Sequence, residues 1–78
     1  MKKRAGPDIR ERFGFAVKDQ REALGLTQEE FAERAGIHRT YLSDIERGTR
    51  NVSLINIERV ATALTLKTSE LFKLVERD

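Results

Sequence analysis

Four glycines divide this chain into short segments, and no segment has the alternation of apolar and polar residues that marks a strand. The glycines are Gly14, Gly25, Gly36 and Gly48, and the single proline, Pro7, precedes them all. Between the glycines, apolar residues recur at intervals of three and four, which is the spacing of an amphipathic helix. The sequence therefore predicts an all-α fold.

Capping residues at the start of the segments predict five short helices. Two of these starts, Asp8 with Glu11 and Thr27 with Glu30, have the spacing of a capping box, which satisfies two unpaired backbone N–H groups. The predicted N-caps are Asp8, Thr27, His38, Ser53 and either Thr68 or Ser69. The predicted helices cover about 8–24, 28–35, 39–47, 54–64 and 70–76.

One apolar stripe along each of the first four helices predicts the core. The stripe residues are Ile9, Phe13, Val17, Leu24, Phe31, Ala32, Ala35, Leu42, Ile45, Leu54, Ile57, Val60, Ala61 and Leu64. Phe15 lies off its stripe, so we expect it to be exposed or to lie beneath a neighbour. A core of this kind suits a single small domain.

The fifth helix has more apolar residues than one domain can cover. Leu71, Phe72, Leu74 and Val75 point in several directions around it. We therefore predict a two-fold homodimer, the commonest form of oligomer, through the C-terminal helices. Leu74 and Val75 are expected near the contact.

Length and composition exclude several classes of protein. A chain of 78 residues without cysteine, and with His38 as its one histidine, predicts neither a disulfide nor a metal site. No apolar run reaches the ~18–20 residues that span a bilayer. The charged residues after Arg4 do not suit a signal peptide, so we expect a cytoplasmic protein.

No pattern in the sequence indicates an enzyme. There is no nucleophile–base–acid set and no glycine-rich phosphate loop. A small helical domain also leaves little room for a ligand pocket of about 300 Å³ or more. We expect no catalytic residue, no cofactor and no small-molecule ligand.

The stretch 28–47 reads as two helices joined by a tight turn. Ala32 and Ala35 supply the small side chains that a close crossing needs, and Gly36 tolerates the positive φ of the turn. Leu42 and Ile45 anchor the second helix from below. The outer face of that helix then stands clear of the domain, and the major groove of double-stranded DNA is wide enough to admit it.

These motifs resemble a known family, the lambda-repressor-like helix-turn-helix DNA-binding domains, also called the xenobiotic-response-element family. The resemblance runs from Phe13 to Phe72. It is carried by the segments 25–32 (GLTQEEFA), 35–37 (AGI), 42–48 (LSDIERG) and 50–54 (RNVSL). The text of 39–47 also resembles controller proteins of restriction–modification systems. Val52 stands where the family often has proline.

The resemblance implies a compact five-helix domain, with the helix-turn-helix at helices 2 and 3, that regulates transcription. It assigns base contacts to the second motif helix, phosphate contacts to the flanking positions and an internal ion pair to two further residues. The base-contact positions are Arg39, Thr40, Tyr41, Ser43 and Asp44; the phosphate positions are Gln28, Arg50 and Asn51; the ion pair is Arg21 with Glu46. Tyr41 has a second interpretation, packing against the first motif helix.

Charged segments outside the motif each have two interpretations. Glu29, Glu30 and Glu33 are either a solvated acidic face or a surface that touches RNA polymerase. Residues 1–7 form a basic arm before the domain at 8–78; Lys2, Lys3 and Arg4 are either a disordered, solubilising tail or an arm in the minor groove. The polar outer face of 39–50 favours DNA over the alternative function, a protein-interaction module such as an antitoxin.

Overall fold

Five helices and no strand make up residues 8–77, which are the residues that a computed structural model of the protein describes. The helices are α1 (Ile9–Ala23), α2 (Gln28–Ala35), α3 (Arg39–Glu46), α4 (Leu54–Ala63) and α5 (Thr68–Val75). The all-α prediction is confirmed. The predicted arm at 1–7 lies outside the described residues. Over the part that is described, no helix is long and apolar enough to cross a membrane.

The caps that start these helices agree with the sequence at four of five positions. The two capping boxes, at Asp8 and Thr27, are both formed. Ser53 accepts a hydrogen bond from the N–H of Asn56 at 3.2 Å. His38 is the N-cap residue of α3 but makes no side-chain cap bond.

The predicted cap of α5 is wrong. The helix begins at Thr68, so the N-cap residue is Lys67, and Thr68 and Ser69 lie inside the first turn. Glu70 determines this start, because its carboxylate accepts the Lys67 N–H at 2.7 Å. This is the carboxylate half of a capping box, and it does not need a hydroxyl at the cap.

The core lies where all five helices meet. Buried apolar side chains from every helix form one cluster: Phe13, Ala16, Val17, Phe31, Ala32, Ala35, Leu42, Ile45, Val60, Ala61, Ala63, Leu64, Leu71 and Val75. Three residues of the predicted stripes, Ile9, Leu24 and Leu54, are exposed instead. Each lies at or beside a helix end, where no neighbouring helix covers the apolar stripe.

Two of the four residues predicted to line a dimer contact belong to this core. Leu71 is 0% exposed and Val75 is 3% exposed, because α5 packs against both α1 and α4. Their prediction as contact residues is therefore wrong, since one chain already covers them. Phe72 is half-buried, with its ring centroid 5.7 Å from that of Phe13, and Leu74 is also half-buried.

Gly14 does not divide two segments; it lies in the middle of α1. A Cβ atom at this position would lie 2.2 Å from the carbonyl oxygen of Ile45 and 2.8 Å from that of Glu46. The missing side chain lets α1 lie directly against the C-terminal end of α3. This contact helps to fix the position of α3 relative to α1.

Candidate nucleic-acid interface

The turn between α2 and α3 is fixed by backbone geometry. Gly36 ends α2 in the left-handed conformation, with φ 73°. The N–H of Gly36 then bonds to the carbonyl of Glu33, and the N–H of Ile37 to that of Ala32 at 3.0 Å. These two bonds are the Schellman arrangement, which turns the chain sharply after a helix. As a result α3 begins only three residues after Gly36.

One face of α3 is buried and the opposite face is free. Leu42 and Ile45 are 0% and 1% exposed, so they anchor the helix in the core. Arg39 and Thr40, in its first turn, are exposed. No ion pair among residues 8–77 includes Arg39. Its guanidinium is available to a partner outside the domain.

The second half of the exposed face is occupied by side chains that bind one another. Ser43 accepts a hydrogen bond from Arg47 at 2.9 Å. Asp44 pairs with the guanidinium of Arg47 and accepts a bond from Nε of Arg50 at 3.3 Å. Ser43 and Asp44 are half-buried. Ser43 and Asp44, two of the five predicted base-contact residues, therefore already have partners inside the domain.

Tyr41 packs against the domain and supports a neighbouring cation. Its half-buried ring lies against the core, and its hydroxyl accepts a hydrogen bond from the side-chain amide of Asn56 in α4 at 3.2 Å. The guanidinium of Arg50 lies over the same ring, 5.0 Å from its centroid. This is a cation–π contact. Asn51, next in the loop, is exposed.

Arg21 and Glu46 form an ion pair that joins α1 to the end of α3. Nε of Arg21 lies 2.7 Å from one carboxylate oxygen and Nη2 lies 3.1 Å from the other. Their side chains are 9% and 3% exposed. The carboxylate beside it raises the pKa of Arg21 above its usual value, so the guanidinium stays charged. Arg21 also donates to the carbonyl of Leu26 at 2.7 Å.

Gln28, a predicted phosphate contact, is part of the same network. Its side-chain amide donates to Glu46 at 2.9 Å, and the residue is half-buried. The first residue of α2 is thus tied to the end of α3, and the two motif helices are fixed to each other by a polar contact as well as by the core. The side chain of Gln28 is aimed inward.

The three glutamates of α2 are all exposed, but they are not equivalent. Glu30 completes the capping box by accepting the N–H of Thr27 at 2.9 Å. No side-chain hydrogen bond or ion pair within residues 8–77 includes Glu29 or Glu33. Only those two present carboxylates that are free of a structural role.

Sequence reasoning missed two members of the interface. Arg47 was given no role of its own, and Asn56 was not singled out. Arg47 acts through contacts with Ser43 and Asp44, four and three positions earlier, and Asn56 through a contact with Tyr41, 15 positions earlier. The signal for Arg47 was its i+4 spacing from Ser43 on one helix face. Nothing in the sequence brings Asn56 to Tyr41, since that contact depends on how α4 packs.

Helix α3 is short, is anchored in the core by one face and is exposed on the other, and a tight turn joins it to α2. This arrangement defines a helix-turn-helix domain. Comparison with protein-family models agrees, because the model HTH_3 (Helix-turn-helix) matches residues 17–71. The chain belongs to this helix-turn-helix family, as the resemblance of its motifs predicted.

The relatives found by comparison narrow the class further. Control protein C.MunI of Mycoplasma sp is 46% identical over 72 residues, which are 91% of this chain and 97% of the relative. The crystal structure of the restriction–modification controller protein C.AhdI from Aeromonas hydrophila is 46% identical, with a TM-score of 0.78 over 81% of this chain and 96% of that one. The controller C.Esp1396I, seen as a tetramer on its 35-base-pair operator, is 28% identical, with a TM-score of 0.82 over 90% and 92% of the two chains.

Proposed function

We propose that this protein is a transcription regulator that controls restriction–modification genes by binding a pseudo-palindromic operator as a homodimer. The observation that carries this function is the geometry of α3, which Leu42 and Ile45 hold from below while Arg39 and Thr40 stand free. The similarity to controller proteins over almost their whole length supports the choice of genes.

The proposed complex places α3 in the major groove. Arg39, in the first turn, reaches the groove floor, where a guanidinium can donate two hydrogen bonds to guanine O6 and N7. Thr40 lies beside it. Phosphate contacts come from the loop residues Arg50 and Asn51, and from the backbone N–H groups at the start of α2 rather than from the inward-facing side chain of Gln28.

The surface that we propose for the dimer lies at the starts of α4 and α5. Leu54 and Ile55 are 78% and 66% exposed, and with Glu58 and Thr68 they line one shallow concavity. Adjacent apolar side chains with this exposure mark an interaction surface. For the two α3 helices to enter successive major grooves, a two-fold contact here has to hold them roughly 34 Å apart. Phe72 remains a candidate for its margin, whereas Leu74 lines a separate concavity together with Phe15.

Replacing Ile55 with glutamate is expected to convert the protein to a monomer. In the proposed dimer each glutamate would be desolvated without a partner, and burial of an unpaired carboxylate costs more free energy than burial of the isoleucine side chain supplies. Sedimentation equilibrium at micromolar concentration measures the mass. Phe15→Glu is the matched control, because Phe15 is equally exposed, at 67%, but lies on α1. If Phe15→Glu dissociates the dimer and Ile55→Glu does not, the surface is misplaced.

The acidic side of α2 is a candidate contact for RNA polymerase. Glu29 and Glu33 carry this part of the proposal, because Glu30 is committed to the cap of its own helix. The basic interface of α3 and its loop faces DNA in the proposed complex. Glu33 lies in the second turn of α2, away from the helix start that is proposed to bind phosphate, whereas Glu29 adjoins that start, and its carboxylate has to turn away from the phosphates, which would repel it.

Selection of bound sequences from a pool of random duplex DNA tests the proposed function as a whole. We expect enrichment of an inverted repeat whose half-sites are about one helical turn apart. Failure to enrich any sequence would contradict the proposal. If no DNA sequence is enriched and a second, unrelated protein co-purifies with this chain, the function of a protein-interaction module is favoured.

A further inference from the structure

A cluster of opposite charges lies at the end of α3, on the face proposed to meet DNA. The Asp44 carboxylate is shared by Arg47, the C-cap residue of the helix, and by Arg50, in the loop that follows. The side chain of Asp44 is 19% exposed, whereas those of Arg47 and Arg50 are 62% and 50% exposed. The acid is thus the inner member of the cluster, and two cations cover it.

The backbone and a second side chain hold this cluster in place. The loop folds back on α3, because both the N–H and the hydroxyl of Thr49 donate to the main-chain carbonyl of Asp44 at 3.1 Å. On its other side Arg50 lies over the ring of Tyr41, which Asn56 fixes from α4. Arg50 therefore has a defined position in the domain alone, between a carboxylate and an aromatic ring.

We infer that Asp44 determines the specificity of DNA binding as an internal counter-ion for Arg47 and Arg50, and that it does not contact a base. This inference rests on the proposed function. It assigns Asp44 a positioning role: the residue acts on DNA through two arginines. The two guanidinium groups each occupy one oxygen of the carboxylate and cover it, so a cytosine amino group would have to displace them to reach Asp44.

The two modes of DNA binding respond differently to such a counter-ion. Binding to random DNA is almost entirely attraction between cations and phosphates, so a carboxylate that offsets one of the two arginine charges weakens it directly. Binding to the operator adds base contacts that need fixed geometry. There the base contacts fix the position of the domain on the duplex, so Arg50 can meet its phosphate in only one place, and Asp44 lowers the ordering cost by holding Arg50 there before the complex forms. The net result is a larger ratio of operator affinity to random-DNA affinity.

A DNA titration tests this inference. Wild-type protein and Asp44→Asn are each titrated against the selected operator and against a scrambled duplex, at several salt concentrations. We expect Asp44→Asn to bind the scrambled duplex about 3- to 10-fold more tightly, with a salt slope steeper by about one unit for each arginine that gains a phosphate. Its affinity for the operator should rise less, so the specificity ratio falls. In an Arg50→Ala background, the same substitution should have a smaller effect.

Asp19→Asn is the matched control, because it makes the same change in net charge at an exposed position of α1. An equal gain for Asp19→Asn and Asp44→Asn on scrambled DNA would overturn the inference, since only net charge would then matter. A loss of operator affinity with altered preference at one base pair would also overturn it and make Asp44 a base contact. Wild-type protein that shows no sequence preference would instead refute the proposed function itself.

Discussion

Replacing Arg21 with alanine is expected to lower the free energy of unfolding by about 3 kcal/mol. Loss of one partner of a buried ion pair typically costs about 3–5 kcal/mol, because the other charge stays buried without compensation. The lower value applies here, since Gln28 still donates to the carboxylate of Glu46. The substitution also removes the bond to the carbonyl of Leu26, which helps to close the end of α1.

Urea unfolding measures this effect, and Arg10→Ala provides a control. Arg10 pairs with Asp8 at 2.8 Å, but both side chains are 51% exposed, and an exposed ion pair of this kind contributes little to stability. Equal losses for the two variants would mean that the Arg21–Glu46 pair is no more important than a surface pair. Below its melting temperature the Arg21→Ala protein should retain its base preference, because Arg21 faces α3 from behind.

Replacing Gly14 with alanine is expected to cost about 2–3 kcal/mol of stability, a typical effect of overpacking. The neighbours of the added methyl group are the carbonyl oxygens of Ile45 and Glu46, which belong to a helix backbone and cannot rotate away. Alanine favours the helical state by up to about 1 kcal/mol over glycine, and this gain offsets only part of the clash. The strain also separates α1 from α3, so the Arg21–Glu46 contact should lengthen.

Gly25→Ala separates this clash from the general cost of replacing a glycine. Gly25 has φ +74°, with nothing near its added Cβ, so the cost there is only that of a left-handed alanine, about 1 kcal/mol. Thermal unfolding of both variants gives the comparison. If Gly14→Ala is as stable as wild type, α1 and α3 are not as closely packed as the structure indicates.

Local signals explain how much of this fold could be predicted from the sequence. The boundary between α2 and α3 follows from Gly36, and the start of α2 follows from the capping box of Thr27; each depends on residues within four positions. The buried positions of α3, Leu42 and Ile45, follow in the same way from helical spacing. These signals do not depend on where the rest of the chain lies.

Features set by long-range packing could not be predicted. Gly14 is a glycine because the end of α3 arrives there, about 30 positions later in the chain. Leu71 and Val75 were assigned to a surface because the faces of α1 and α4 that cover them were not known. The prediction of Asp44 as a base contact did not include its pairing with Arg50, because the return of the loop that carries Arg50 is a tertiary event.

The central claim, that α3 reads base sequence, is tested most directly by titrating Arg39→Ala and Arg50→Ala against the selected operator and a scrambled duplex. We predict that Arg39→Ala loses about 1–3 kcal/mol on the operator and much less on the scrambled duplex, and that it loses preference at one guanine in each half-site. Arg50→Ala should weaken both complexes to a similar extent. If Arg39→Ala lost the same factor on both duplexes, the assignment of α3 as the reading helix would be contradicted.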